Sequence, residues 1–285
     1  MKIFKPKITL ILLTSLLLNF NTQGQQFKTN SEIGALLGGA YYLGDLNDIH
    51  FNQSAPALGL IIRQNLDRRV VIKAEAMVLN IKSDERESED TFAYDRGLHF
   101  KSPVYELSGQ IEFNFLPYQP GNPLYTWTPF VYTGLSLFNF NPKAENQNGE
   151  WVNLQELGTE GQGTTTSFNG ETRAKYTIIQ FSIPIGGGVK VALSESVNII
   201  LEYGARKTFT DYLDDVSTTF VGSNPGNSGN NYPNEMSNEA QLMSDPNGTH
   251  LKGDQRGDDT KKDWYSFLGI TISFKLDKPN DCPPY

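Results

Sequence analysis

The chain has 285 residues, of which 24 are Lys or Arg and 32 are Asp or Glu, giving a formal net charge of -8. Hydrophobic residues make up 38% and the mean hydropathy is -0.41, values that a soluble domain also shows. Because nucleic acids attract basic proteins, this acidic composition excludes nucleic acid as an expected partner. The single cysteine, Cys282, excludes an intrachain disulfide framework and a cysteine zinc site.

The first 24 residues have the pattern of a secretory signal peptide. Lys2, Lys5 and Lys7 precede an apolar run at residues 8–20, and small residues follow it up to Gly24. About thirteen apolar residues are too few for a helix that spans a bilayer, so cleavage after Gly24 is expected in preference to a retained anchor. Cleavage removes lysines and no acidic residue, which leaves an exported chain that is still more acidic.

Beyond the signal peptide, the recurring pattern is an alternation of apolar and polar residues. In residues 105–115 the odd positions are mostly apolar and the even positions mostly polar. Because a strand turns successive side chains to opposite faces, the pattern predicts a strand with one apolar face. Most such segments have the roughly nine to eleven residues that a tilted strand needs to cross hydrocarbon. Eight segments fit, at residues 32–42, 57–65, 70–82, 105–115, 130–141, 177–191, 197–206 and 264–275.

The lengths of the seven links between these strands favour a membrane barrel. The second and sixth links are turn-like and the odd-numbered links are long and polar, as in barrels with short periplasmic turns and long outer loops. The fourth link is longer, but Pro117, Pro120 and Pro123 suit a stiff double turn. We therefore predict an all-β fold, an eight-stranded antiparallel transmembrane β-barrel. A soluble sandwich or lipocalin-like barrel is the alternative that alternation leaves open.

The predicted organisation is a signal peptide at 1–24, a periplasmic N-terminal segment at 25–31, an outer-membrane barrel at 32–275 and a periplasmic tail at 276–285. An even number of strands puts both chain ends on the periplasmic side. Aromatic residues near the predicted strand ends indicate an interfacial girdle. They are Tyr41, Tyr42, Phe113, Phe115, Tyr125, Trp127, Phe138, Phe140, Tyr203, Phe209, Trp264 and Tyr265.

A barrel of eight strands has an interior just wide enough for its own side chains. The alternation predicts that charged residues of both signs point inward, where they would form an ion-pair network, since unpaired buried charges are costly. A narrow ion path or proton relay is the alternative role for them. The predicted inward residues are Arg63, Lys73, Glu75, Glu106, Glu112, Lys190, Glu202 and Arg206.

No catalytic site, metal site or cofactor is expected, and the protein is predicted not to be an enzyme. His50, His99 and His250 fall in different predicted outer loops, and no spaced nucleophile, base and oxyanion donor accompanies them. Acidic clusters at residues 211–215 and 254–259 offer oxygen ligands to calcium, but they lack the ordered spacing of a calcium loop. With a closed interior, function is expected on the loops or at the periplasmic rim.

An ordered set of motifs resembles the PorG-like outer-membrane barrels of the type IX secretion system of Bacteroidetes. The resemblance begins at residues 32–34 and 38–46, in the first strand and first loop, and covers most of the mature chain. It continues through Tyr105-Glu106-Leu107, Thr128-Pro129-Phe130, Ile183-Pro184-Ile185-Gly186-Gly187-Gly188, Leu201-Glu202-Tyr203-Gly204 with Arg206, Thr210-Asp211-Tyr212-Leu213-Asp214-Asp215-Val216-Ser217, and Cys282-Pro283.

The resemblance implies an integral outer-membrane component of the type IX secretion machinery that anchors or stabilises its periplasmic ring. The implied partners are the periplasmic ring proteins, including the lipoprotein subunit of the ring, together with outer-membrane lipid. The periplasmic turns and the tail are the plausible contact, with Cys282 and Tyr285 as candidate contact residues. A small surface-exposed barrel for adhesion or solute interaction, outside secretion, is the alternative function.

Overall fold

The computed structural model describes residues 29–165, 172–222 and 231–276. The predicted signal peptide, Cys282 and Tyr285 lie outside these residues. Eight strands form one closed sheet. A short hairpin of β6 (Lys143–Glu145) and β7 (Trp151–Asn153) comes between the fifth and sixth of these strands in the chain. The barrel strands are β1 (Asn30–Leu43), β2 (Ala55–Asn65), β3 (Val70–Asp84), β4 (His99–Asn114), β5 (Trp127–Phe140), β8 (Ile179–Ala192), β9 (Val197–Thr208) and β10 (Trp264–Leu276).

Every barrel strand pairs antiparallel with its neighbours in chain order. The last strand, β10, returns to pair with β1, with Gly38 opposite Gly269, so that the sheet closes. A closed sheet has no free edge and satisfies the hydrogen bonds of its own backbone, which a strand in hydrocarbon requires. The predicted eight-stranded antiparallel barrel is confirmed, and a two-sheet sandwich is excluded.

Seven of the eight barrel strands are longer than the alternation predicts, and β8 is one residue shorter. β1 includes Asn30 and Ser31 of the expected N-terminal segment, and β10 includes Leu276 of the expected tail. β3 continues to Asp84 and β4 begins already at His99, and these two residues pair with each other. The extra residues of β3 and β4 have no large apolar side chain on the outer face, which is why alternation did not find them.

The connections give the barrel two different ends. The turn end contains the first and the last described residues and three links, turn 1 (66–69), turn 2 (115–126) and turn 3 (193–196). The loop end contains loop 1 (44–54), loop 2 (85–98), loop 3 (141–178) and loop 4 (209–263). The predicted division into short turns at one end and long loops at the other holds for turns 1 and 3, whereas turn 2 is about as long as loop 1, as expected for the fourth link.

Three short α-helices lie in the described parts of the loops: α1 (Thr91–Arg96), α2 (Leu154–Leu157) and α3 (Asn238–Ser244). Capping residues define α1, because the side chain of Asp90 accepts from the backbone N–H of Phe92 and Gly97 ends the helix at a φ of 60°. Among the described residues, no helix is long and apolar enough to span a membrane.

The outer wall of the barrel is an apolar belt. Large hydrophobic side chains point outward on every strand and are widely exposed, among them Leu37, Leu60, Leu107, Leu135 and Phe181 at 63% to 68% exposure. On β4 the belt runs from residue 113 to residue 105, about 27 Å along the strand. An exposed apolar surface that encircles a protein fits contact with lipid and does not fit a soluble barrel. The fold is therefore a transmembrane β-barrel.

The interior has two layers, and this corrects the expectation that polar side chains fill it throughout. The turn-end half holds the charged residues. The loop-end half is apolar, with Leu36, Met77, Leu79 and Phe138 on the barrel wall packed against residues of the loops. The apolar layer exists because the loops fold into the barrel mouth and bury apolar surface there, as the core of a soluble domain does.

The same packing changes the expected aromatic girdle. Phe113, Phe115, Trp127 and Phe209 are exposed on the outer wall, as an interfacial girdle requires. Four other members of the predicted girdle point inward and are buried, so their assignment to the membrane interface was wrong. They are Tyr42, Phe138, Phe140 and Tyr265.

A row of small residues makes room for one large ring between the two layers. Tyr132 on β5 is opposite Gly186 on β8, and Gly186 is opposite Gly204 on β9. A Cβ atom at Gly186 would lie 2.5 Å from the Tyr132 hydroxyl oxygen, and one at Gly204 would lie 2.0 Å from it. The two glycines are needed because the tyrosine ring lies directly over them.

Candidate functional site

The turn-end half of the interior holds buried ion pairs. Arg63 on β2 contacts Glu112 on β4 through Nε at 3.0 Å and Glu202 on β9 through Nη2 at 3.3 Å. Lys190 on β8, across the barrel from β2, also forms a salt bridge with Glu112. Glu112 therefore lies between two cations that come from opposite walls.

A second group of ion pairs surrounds Arg206 on β9. Its Nε donates to Oε2 of Glu106 at 3.0 Å, and its Nη2 donates to Oε1 of Glu106 at 3.0 Å and to Glu75 at 3.3 Å. Tyr265 donates its hydroxyl hydrogen to Glu106 at 2.6 Å. Lys73 joins the two groups, because its Nζ is 2.7 Å from Glu75 and also contacts the first group.

The structure brings together all eight charged residues that the alternation placed inside the barrel. Each is at most 4% exposed, and each lies in a salt bridge with another member. Removing one partner from such a set leaves an uncompensated buried charge, so the network holds the strands together only as a whole. Its members are Arg63, Lys73, Glu75, Glu106, Glu112, Lys190, Glu202 and Arg206.

Glu32 on β1 also points inward, and the sequence prediction missed it. Its carboxylate accepts hydrogen bonds from Nδ2 of Asn65 and Oγ of Ser273, both at 2.8 Å. The signal was present in the sequence, because Glu32 shares its parity with Leu36 and Ala40 of the same strand.

Turn 2 closes the turn end of the barrel. Tyr118 is buried and donates its hydroxyl hydrogen to Oδ1 of Asn198 on β9 at 2.8 Å. The backbone N–H of Tyr118 donates to the carbonyl of Arg68 in turn 1 at 2.9 Å, and Nε of Arg68 donates to Gln119 at 3.2 Å. Burial, together with the Glu32 carboxylate, raises the pKa of Tyr118, so this side chain is a neutral donor. Turn 2 is longer than turns 1 and 3 because it crosses the mouth.

The four loops close the opposite end. Leu46 of loop 1, Leu98 of loop 2, Leu154 of loop 3, and Leu213 and Met243 of loop 4 are buried in one cluster with the apolar layer of the barrel. Every loop contributes at least one residue, so the described parts of the four loops form a single cap over the loop end.

Two arginines connect the loops of the cap through polar contacts. Arg256 of loop 4 donates from Nη1 to Glu160 of loop 3 at 2.9 Å and to the carbonyl of Asp215 at 2.7 Å. Arg96 of loop 2 forms a salt bridge with Glu85 and donates to the carbonyl of Asp45 in loop 1 at 2.7 Å. Because both guanidinium groups are buried, these contacts replace water and fix the loops relative to one another.

Four buried carboxyl groups of the cap have raised pKa values. Burial raises the pKa of Asp211 to about 6 and that of Asp215 to about 6. Burial, followed by neighbouring carboxylates, raises the pKa of Asp214 and of Asp263 well above the ordinary range. These acids are side-chain partners inside the cap and not a solvated acidic surface.

The three histidines occupy separate places. His50 Nδ1 is 2.9 Å from the Tyr41 hydroxyl on the outer wall, and His250 Nδ1 is 3.0 Å from Oδ1 of Asp245. His99 begins β4, which corrects its expected place in a loop, and its Nε2 accepts from the backbone N–H of Glu145 at 2.9 Å. Within the part of the chain that the structure describes, no group of three or more His, Cys, Asp or Glu side chains is placed to hold a metal ion.

Several solved outer-membrane proteins are similar to this chain at low identity. The N-terminal β-barrel domain of Pseudomonas aeruginosa OprF is 13% identical, has a TM-score of 0.38 and covers 88% of this chain and 100% of its own. The attachment invasion locus protein Ail of Yersinia pestis is 6% identical, with a TM-score of 0.40 and coverage of 88% and 100%. Neisserial surface protein A is 9% identical, with a TM-score of 0.42 and coverage of 87% and 99%. These likenesses concern the fold and not a ligand or partner.

Sequence comparison identifies the family. No curated protein matches the chain. A family model described as "Domain of unknown function (DUF6089)" matches residues 7–157, which include the strands from β1 to β7. Since this match extends over more than half of the 285 residues, the chain belongs to the DUF6089 family.

Proposed function

We propose that this protein is an integral outer-membrane component of the type IX secretion machinery and that it anchors or stabilises the periplasmic ring of that machine. The observation that supports the proposal is a barrel closed at both ends, with ion pairs in its turn-end half and packed apolar side chains in its loop-end half. Such a barrel offers no open channel, so its surfaces are the place for function. An anchor needs a membrane-embedded body and a firm periplasmic face, and it needs no pore.

The turn end offers such a face. Turn 2 is fixed by its hydrogen bonds to turn 1 and to β9, and it presents Leu124 at 81% exposure. Leu193 in turn 3 is 61% exposed. Exposed apolar side chains on an ordered surface suit contact with another protein. The resemblance to PorG-like barrels identifies the proposed partners as the ring proteins, including their lipoprotein subunit.

Deletion of the gene tests the proposal. We expect the deletion to block export of type IX cargo, and we expect the full-length gene to restore it. A photo-crosslinking residue in place of Leu124 should capture a ring protein, whereas the same residue in place of Leu251 in loop 4, which is 52% exposed, should not. Normal cargo export in the deletion strain would reject the proposal.

The tail is a second proposed contact with the ring. Cys282 is the only cysteine of the chain, so a disulfide from it would join the protein to a partner. Tyr285 is the other candidate contact residue. We expect reductant to change the mobility of the protein in a gel, and equal mobility with and without reductant would remove Cys282 from the proposed interface.

A small surface barrel for adhesion or solute interaction is the second candidate function. The ordered cap of the loop end favours it, since Arg256 and Arg96 fix the loops in one arrangement that a binding surface would need. Normal export in the deletion strain, together with reduced attachment of the cells to a surface, would favour this function over secretion.

A further inference from the structure

A row of three lysines crosses the loop end of the barrel. Lys82 on β3 is directly opposite Lys101 on β4, and Lys101 is directly opposite Lys143 on β6. Directly opposite residues of a sheet share one face and have Cβ atoms about 5 Å apart. The three lysine side chains therefore leave the sheet side by side on one face, although the chain as a whole is acidic, with a net charge of -8.

The row lies on the outer face of the barrel. Phe100 and Ala144, the sequence neighbours of Lys101 and Lys143, are buried in the apolar layer of the interior, so the two lysines point the opposite way. Ile81, the neighbour of Lys82, is buried in the same layer. The lysines thus continue the outward face that carries the apolar belt.

None of the three lysines has a carboxylate partner among the residues that the structure describes. The ion pairs within the described residues include none of the three. The nearest acids along the strands, Asp84 and Glu145, lie further from the belt than the lysines, and Asp84 is paired with Arg86 at 2.6 Å. Like charges opposite one another destabilise a sheet, so this arrangement is better suited to holding an anion than to standing alone.

The depth of the row corresponds to the headgroups of the membrane. On β3 and β4 the belt ends at the pair Val78 and Tyr105, and the pair Lys82 and Lys101 lies about 13 Å further along the strands. At a tilt of about 40° this is ~10 Å along the membrane normal, which is the headgroup layer. Trp151, whose ring centre is 3.2 Å from Nζ of Lys101, is the aromatic side chain expected at this level.

We propose that Lys82, Lys101 and Lys143 bind the phosphate groups of a lipid headgroup in the outer leaflet. In outer-membrane barrels the short turns face the periplasm and the long loops face outward, so we expect the loop end, where the row lies, to face outward. A phosphate group provides the compact negative charge that ammonium groups recognise, and it lies at their depth when its acyl chains contact the belt. A lipid fits better than a soluble anion, because the row adjoins the apolar belt and the acyl chains of the same lipid would contact that belt.

The test compares two variants of the full-length protein in detergent micelles. The first replaces the row, as Lys82→Gln, Lys101→Gln and Lys143→Gln together. The control variant loses the same charge in the cap and not on the outer wall, as Lys175→Gln, Lys261→Gln and Lys262→Gln. Native mass spectrometry measures binding of diphosphorylated lipid A, of dephosphorylated lipid A and of inorganic phosphate, and heat-modifiable migration verifies that each variant is folded.

We expect wild type and the control variant to bind diphosphorylated lipid A, and the row variant to bind it at least about tenfold more weakly, given the attraction of each lysine for an anionic headgroup. Dephosphorylated lipid A should bind wild type as weakly as diphosphorylated lipid A binds the row variant. Equal binding of diphosphorylated lipid A by a folded row variant and wild type would overturn the proposal. Competition by millimolar inorganic phosphate as strong as that by lipid A would overturn it as well, because the site would then recognise a soluble anion.

Discussion

Tyr42 on β1 donates its hydroxyl hydrogen to Oδ2 of Asp214 in loop 4, across a distance of 2.5 Å. The same hydroxyl is 3.0 Å from Oδ1 of Asp263. One side chain of the barrel wall therefore joins two acids of the cap that are distant in the chain. All three residues are buried, so the link between barrel and cap involves groups whose protonation changes its strength.

The cap should loosen as the pH rises. Asp211 and Asp215 each have a pKa of about 6 in the closed cap, raised by burial from an ordinary value of 3.8. At pH values between the ordinary and the raised pKa, the closed cap binds more protons than an open cap. The stability of the closed cap therefore falls as the pH increases from about 4 to above 6. For Asp215 the loss amounts to ~3 kcal/mol.

Hydrogen exchange of the backbone around residues 210–220 measures this effect. After correction for intrinsic rates, we expect less protection at pH 7.5 than at pH 5. Asp211→Asn should reduce the difference, because an amide does not titrate. Protection that is independent of pH in wild type would contradict the expectation.

Replacement of Glu112 by glutamine should strongly destabilise the barrel. Glu112 is the partner of Arg63 at 3.0 Å and also of Lys190, and all three are buried. A glutamine leaves two buried cations undercompensated, and breaking a buried pair costs about 3 to 5 kcal/mol. Urea unfolding in detergent measures the loss. Glu87→Gln, in an exposed part of loop 2, serves as the control and should change the unfolding midpoint little; equal midpoints for the two variants would show that the network does not stabilise the fold.

Gly186→Ala should disturb the barrel because Tyr132 occupies the space above the glycine. The new Cβ would lie 2.5 Å from the tyrosine hydroxyl oxygen and would also meet the backbone carbonyl oxygen of Tyr203 on β9, so strand or ring must move, at a cost of about 1 to 3 kcal/mol. Gly109→Ala is the matched control, because a Cβ at Gly109 meets no atom within 4 Å. The temperature at which each variant loses its heat-modifiable migration in a gel measures and compares their stabilities. Combination of Gly186→Ala with Tyr132→Leu should recover part of the stability. If no stability is recovered, contact with the Tyr132 ring is not the cause of the loss.

The barrel should conduct no ions, since ion pairs fill its turn-end half and the cap closes its loop end. Tyr118→Ala removes the hydrogen bond to Asn198 and weakens turn 2 over the mouth, but it leaves the network in place. We therefore expect planar bilayer recordings to show no stable open channel for wild type or for Tyr118→Ala. A steady current through wild type would instead favour an ion path along the charged residues.

The sequence by itself determined the barrel and half of its interior. Alternation at period two fixes which side chains share a face, so Glu106, Glu112 and Glu202 could be placed inside before any contact was known. Link lengths then separated the turn end from the loop end. The pairing partners were not available from the pattern, because Arg63 and Glu202 come from strands that only barrel closure brings within 3.3 Å.

Only the tertiary structure decided what fills the loop end. The same apolar residue types face lipid on one side of the wall and the folded loops on the other, so hydrophobicity does not distinguish Leu37 at 66% exposure from Leu36 at 2%. Tyr42 and Phe138 were assigned to the interface for this reason. Their burial follows from long-range packing of Leu213 and Met243 into the barrel mouth, and no local pattern in the sequence records it.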